Sequence, residues 1–200
     1  MRGVQFHHRS LLCWPELLTG EGRRWIRTVL HTGARVLSLG TPFPAAVVAD
    51  VHTMTLEIWT MGERPCVGGH DDDVSIGEPS PGEWAELVAM SRAVGLTPLA
   101  GSARCHPQWR HARVRGRSGL VAAASVQGLA AEVAGGPRRL VCSVMSAPPS
   151  RHRGAARQCV DAAAAGAPAA ALVERGAASG GFFARLGWAA TGTAHLYCYH

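Results

Sequence analysis

The 200-residue chain contains no lysine, no asparagine and only three isoleucines. Its twenty basic residues are therefore all arginine, and alanine is abundant, a bias that fits a GC-rich coding sequence. Without lysine, Schiff-base chemistry and the phosphate-binding lysine of a P-loop are both excluded. The six cysteines (13, 66, 105, 142, 159 and 198) include no Cys-x-x-Cys pair, and a chain of this size has no need of disulfide staples. Long apolar runs are also missing. The Ala-rich stretch 160–173 is interrupted by Asp161 and Pro168 and falls short of the about 20 residues that span a bilayer. The N-terminal segment MRGVQFHHRSLLCWPELL has no uninterrupted apolar h-region and no small-residue cleavage site after it. These absences describe a cytoplasmic protein with free thiols and no membrane partner.

What is present is enough apolar material, 47% of residues, to bury a sizeable core. The net charge of +6 is unevenly placed. Residues 1–72 carry seven Arg against seven acids, whereas residues 73–200 carry thirteen Arg against seven acids. A basic second half suits an anionic partner, either nucleic acid or a phosphorylated cofactor, and is equally what a solvated Arg-rich surface looks like.

The apolar periodicity predicts a helix over Glu21–Leu30 and strands over Ala34–Leu39, Ala45–Val51 and Thr53–Met61. Residues 62–73, with Pro65, Gly68, Gly69 and three consecutive Asp, read as a linker. The pattern is sharper beyond it. A strand at Val74–Ile76 precedes a helix over Glu83–Val94 with Trp84, Leu87, Val88, Ser91 and Val94 on one face. A hairpin covers Arg113–Val126, and a strand covers Arg139–Met145. Then come a helix at Gly154–Ala165, a strand at Ala170–Glu174, a helix at Ala178–Leu186 and a last strand at Thr193–Tyr199.

The segment Pro148-Pro149-Ser150-Arg151-His152-Arg153-Gly154-Ala155-Ala156 lies between a predicted strand and a predicted helix. Backbone N–H groups at the positive end of a helix cradle a pyrophosphate, and small residues let it approach. Arg151, Arg153 and Arg157 add positive charge.

In this setting the chain resembles the GNAT (GCN5-related N-acetyltransferase) superfamily over about residues 74–200. D-V-S-I-G-E-P-S-P-G-E-W is similar to its first strand and entry to the first helix. S-A-P-P-S-R-H-R-G-A-A resembles its acyl-CoA pyrophosphate loop, and F-F-A-R-L-G-W its late helix. The resemblance implies an α/β fold with a mixed central sheet flanked by helices and splayed between its fourth and fifth strands. It implies acetyl-CoA as co-substrate and direct attack on the thioester by an amine acceptor. Val144, Met145 and Ser146 would contact pantetheine. Arg151, Arg153, Gly154, Ala155, Ala156 and Arg157 would hold the pyrophosphate, and Phe183 would line the thioester region. An edge strand of such a sheet is also compatible with a homodimer.

The chain departs from the family where chemistry is concerned. Phe183 stands where the family often has a Tyr able to protonate the leaving thiolate, and Gly176 where an Asn is frequent. No Glu occurs in Arg139–Met145, and His152 replaces the first Gly of the usual loop. A base is then to be sought among His106, His111 and Glu132. Two alternatives stand beside the acetyltransferase reading: a catalytically weak acyl-CoA-binding or sensor module, and an Arg-rich nucleic-acid-binding protein. The run from Arg104 to Arg117, with five Arg, two His and a Trp, carries the second, though without any recognition-module motif. Cys105, His106, His111 and the His70–Asp73 run have metal-ligand residue types but no site spacing, so no metal is expected. Residues 1–72 are a separate N-terminal region of uncertain fold, or an extension upstream of a start at Met54 or Met61.

Overall fold

The computed structural model describes residues 4–5, 10–13, 20–62, 74–96, 99, 101–117, 119–128, 138–151 and 154–198. In chain order the elements are β1 (Val4–Gln5), β2 (Ser10–Cys13), α1 (Gly20–His31), β3 (Arg35–Leu39), α2 (Ala45–Val48), β4 (His52–Met61), β5 (Val74–Gly77), α3 (Pro81–Ala93), β6 (Trp109–Gly116), β7 (Gly119–Gly128), β8 (Arg139–Ser146), α4 (Ala155–Ala164), β9 (Ala169–Glu174), α5 (Ala178–Arg185) and β10 (Ala189–Cys198). This is the expected mixed α/β class. They group into two units, one from Met1–Met61 with Ala171–His200 and the other from Gly62–Ala170. The linker expected at 62–73 lies, after Gly62, outside the described residues.

In the first unit β10 runs antiparallel to both β3 and β4, and Leu196 is in register with Leu37 on one side and Met54 on the other. β2 adds to β3 in parallel. The helix α1 carries Glu21 in its first turn and His31 in its last, as the helix dipole favours. Its Ile26 and Leu30, one turn apart, bury against Val36, Phe43, Val47 and Tyr197. The Tyr197 hydroxyl accepts a hydrogen bond from the Phe43 backbone N–H at 2.8 Å, and the two rings lie 4.9 Å apart. Thus the strands β3 and β4, near the start of the chain, are held together by a strand near residue 198. The strand expected over Ala45–Val51 is instead the single helical turn α2. Pro44 leads into it, the Val47 N–H bonds to the Pro44 carbonyl at 2.8 Å, and burial of Val47 in the α1 cluster overrides the β preference of valine.

The second unit is an antiparallel meander in the order β8-β7-β6-β5. Strand alternation gives its sheet two faces with different residues. One face receives α3, with Leu87 against Ala123 and Met145. That helix starts with a capping box: Ser80 Oγ accepts from the Glu83 N–H at 3.3 Å and Glu83 Oε2 from the Ser80 N–H at 2.8 Å. The other face, with Ala112, Val114, Ala122, Ala124 and Val126, receives α4. Small residues on both sides let that helix sit close to the strands, and the Cys159 thiol meets the backbone of Val114 and Ala124. The last turn of α4 has no basic residue of its own. Arg110 Nη1 reaches the Ala165 carbonyl at 3.3 Å, and Arg139 Nη1 bonds to the carbonyls of Ala163 and Ala165. Two strands therefore supply the cations that a helix C-terminus favours.

Candidate functional site

The β8–α4 connection is where the sequence leads one to expect an anion cradle. After Ser146 the chain makes a short 3-10 turn at Pro148–Ser150 and enters α4 through Gly154 at φ 85°, ψ −14°. A Cβ at Gly154 would meet nothing within 4 Å, so the left-handed backbone, and not lack of room, favours glycine here. The first helix bond runs from the Gln158 N–H to the Gly154 carbonyl at 3.1 Å. The N–H groups of Ala155, Ala156 and Arg157 consequently have no acceptor within the helix, and Gly154 provides no side-chain cap. The first turn carries no acid. Arg151 and Arg157 are exposed, the latter pairing loosely with Asp161 at 3.4 Å. Arg153 and His152 lie outside the described residues.

Val144, Met145 and Ser146 end β8 and are in register with Ala124, Ala123 and Ala122. Phe183 belongs to α5 in the first unit, 5% exposed, with its ring against Phe182 and Trp188 at 5.3 and 5.0 Å. No hydroxyl is present at that place.

Sequence reasoning missed a second feature, a row of polar side chains on the α3 face of the second unit. His111, Ser125 and Ser143 stand side by side on β6, β7 and β8, each in register with the next. A bulge at Cys142, between Ser143 and Val141, keeps Ser143 on this face. His111 and Ser125 are each only 1% exposed. His111 Nδ1 lies 2.8 Å from Ser125 Oγ and Nε2 lies 3.0 Å from the Ala103 carbonyl oxygen. A carbonyl only accepts, so Nε2 carries the ring proton and Nδ1 accepts from the serine hydroxyl. Burial holds the His111 pKa below its usual range; the Ala103 bond opposes that shift and Arg113 adds to it. The ring stacks on Trp109 at 6.0 Å and takes the edge of Trp84 at 5.4 Å. Beside it Arg113, 4% exposed, donates to the Gly77 and His111 carbonyls and faces Glu83 at 3.3 Å. The alternation of Ser125 and Gln127 with apolar neighbours in β7 was the available signal, since it puts both on one face.

Of the other candidate bases, His106 is exposed and its Nδ1 accepts from the Gln108 N–H at 3.2 Å, while Glu132 lies outside the described residues. The basic run is largely stitched into the fold: Arg104 meets Glu78 at 3.4 Å, Arg115 meets Glu86 at 2.9 Å, and Arg110 and Arg113 bond to carbonyls. Among the described residues no three His, Cys, Asp or Glu side chains are grouped so as to hold a metal ion. Nor, among them, is any helix long and apolar enough to cross a membrane.

Solved structures decide the fold. The chain superimposes with a TM-score of 0.66 on a protein from Novosphingobium aromaticivorans described as a GNAT-family acetyltransferase, covering 96% of this chain and 84% of that one at 16% identity. The fold is that of the GNAT superfamily. A GCN5-related N-acetyltransferase from Kribbella flavida gives a TM-score of 0.62 at 16% identity, covering 96% of this chain and 81% of that one. A tandem GNAT protein from the clavulanic acid biosynthesis pathway gives 0.52 at 13% identity, covering 94% and 74%. No protein-family model and no curated protein matches the sequence. At these identities the likeness is one of GNAT architecture, over nearly the whole chain, including the strands before residue 62.

Proposed function

We propose that this chain is an acetyltransferase that binds acetyl-CoA and passes its acetyl group to an amine. The observation that carries the reading is the uncapped, glycine-entered N-terminus of α4, following the end of β8 in a GNAT fold. Arg151, Arg153 and Arg157, with the N–H groups of Ala155, Ala156 and Arg157, would hold a pyrophosphate there. Ala155 and Ala156 leave the approach open, and the absence of acid in the first turn suits a dianion. The backbone of Val144, Met145 and Ser146 would pair with pantetheine, and Phe183 would line the thioester region. Bound acetyl-CoA supplies an activated acyl group; the protein orients it and manages the amine proton. In this reading residues 74–200 form the acyl-CoA-binding domain, with β3 and β4 bracketing its last strand. The setting is cytoplasmic, and a homodimer is compatible with it.

Phe183 favours a second reading, an acyl-CoA-binding module with little turnover, because phenylalanine has no proton to give the leaving thiolate. The internal pairing of Arg104, Arg110, Arg113 and Arg115 weakens the case for a nucleic-acid surface.

Thermal unfolding with and without acetyl-CoA, on the wild type and on Gly154→Glu, tests the cradle. At 100 times its dissociation constant a ligand stabilises by about 2.7 kcal/mol. For a chain of this size the midpoint should rise by roughly 5–10 °C. Gly154→Glu puts a carboxylate and a strained residue at the helix entrance and should abolish that rise. No rise in the wild type at millimolar acetyl-CoA overturns the proposal. A rise without CoA release for any amine favours the binding module.

A further inference from the structure

The α3 face of the second unit buries hydroxyls and an imidazole where an apolar row would pack better. Ser125 and Ser143 form the floor of a small cavity whose walls are Trp84, Leu87, Val88 and Ser91 of α3 together with Leu99 and Met145, the Ser91 hydroxyl being engaged with the Leu87 carbonyl. Its volume of about 10 Å³ is of the order needed for one water or one small polar group. The Ser143 hydroxyl oxygen is buried and has no hydrogen-bond partner among the described residues. Ser125 directs its proton to His111, which leaves its lone pairs available to the cavity. Behind Ser125, the Ala103 carbonyl fixes the ring in the tautomer that accepts at Nδ1. A donor in the cavity would thus face two hydroxyls backed by a base.

We propose that Ser125 and His111, assisted by Ser143, form a proton relay that takes the proton released by the acceptor amine during acetyl transfer; this rests on the acetyltransferase reading above. The amine nitrogen forms a bond to the thioester carbonyl carbon and the carbon–sulfur bond breaks, its electron pair leaving on the CoA thiolate. The surplus proton on nitrogen passes, through the single water that the cavity can hold, to Ser125 Oγ as the serine proton passes to His111 Nδ1, giving an imidazolium. The thiolate takes a proton from solvent, and His111 returns one to solvent, so the products are the amide and the CoA thiol. Ser143 holds that water against Ser125. Three groups bear on the charge of the ring: Arg113 on the same strand, its partner Glu83 on α3, and the Ala103 carbonyl.

The test uses the full chain, with acetyl-CoA affinity measured by calorimetry and CoA thiol release followed with phenethylamine, spermidine and glycylglycine. Expected results are turnover of at least one amine by the wild type and a fall in kcat of about 100-fold for Ser125→Ala and for His111→Gln, within the range of general-base effects. Acetyl-CoA affinity should be unchanged, and the double variant no worse than the poorer single one, because the two residues act as a unit. Ser125→Thr, which keeps the hydroxyl, should recover most of the rate, and Ser143→Ala should lose about 10-fold. If His111→Gln does not fold, the Ser125→Ala and Ser125→Thr pair decides alone. Wild-type kcat in Ser125→Ala, losses that multiply in the double variant, or losses confined to acetyl-CoA affinity overturn the relay. A wild type that binds acetyl-CoA but acetylates none of the three amines overturns the relay and leaves the cofactor reading standing. One that does not bind acetyl-CoA overturns both.

Discussion

The first unit fills its core with Ile26, Leu30, Val36, Phe43 and Tyr197, whereas the second buries α4 largely through alanines, with Cys159 and Val160, and gives the other face of its sheet a buried polar row. Large interlocking side chains bury much apolar area per residue and hold elements at a fixed distance. Alanine buries less area but allows backbones to approach, as at Cys159, whose thiol touches two strands and is pushed up to about 12 by burial. The polar row on the α3 face has no such packing rationale. Its hydrogen bonds are satisfied at His111, whereas Ser143 Oγ has no partner among the described residues.

Three measurements would sharpen or break this contrast. The largest effect is expected at Leu30, which has no solvent exposure: Leu30→Ala should cost about 2–5 kcal/mol in denaturant unfolding. A loss well below this would mean that the first unit's core is easily repacked. In the second unit the damaging change is an enlargement. Ala124→Leu, at a fully buried position on the α4 side, should cost about 1–3 kcal/mol by forcing the helix from the strands, and a tolerated leucine would refute the close-approach argument. The smallest effect concerns pH. The folded His111 pKa lies below its ordinary 6.5, so the unfolded chain binds the proton first as pH falls. Stability present above pH 6.5 should therefore decline as the pH falls through the folded value. Melting curves from about pH 7.5 to about pH 5 should show this decline in the wild type and a flatter profile in His111→Gln. Glu83, held below its ordinary value chiefly by its bond from the Ser80 backbone, loses its contribution only at lower pH.

The elements from Val74 onward were legible because each has its own local signal. The spacing of Trp84, Leu87, Val88, Ser91 and Val94 marks α3, Gly116 and Gly119 mark the turn from β6 to β7, and Gly154 marks the entry to α4. What escaped is non-local or decided by packing. The pairing of β10 with β3 and β4 joins segments well over a hundred residues apart, which periodicity does not report. Ala45–Val48 became helical because Val47 is wanted against α1. At the candidate site the arginines and glycine of the turn could be named from the sequence. His111 was named too, but its partner Ser125 could not be known before the register of β6 with β7.

The position of β10 also has a consequence for the order in which the molecule is made. At about 5–20 residues per second, β3 and β4 would leave the ribosome roughly 6–30 s before the strand that separates them. The β5–β8 meander, with α3 and α4, is synthesised in that interval and makes its pairings between neighbours in sequence. The first unit closes only afterwards, when Tyr197 reaches Phe43 across 154 residues. Pairings at such sequence separations form slowly, and until β10 arrives the edges of β3 and β4 that it will cover stay unpaired.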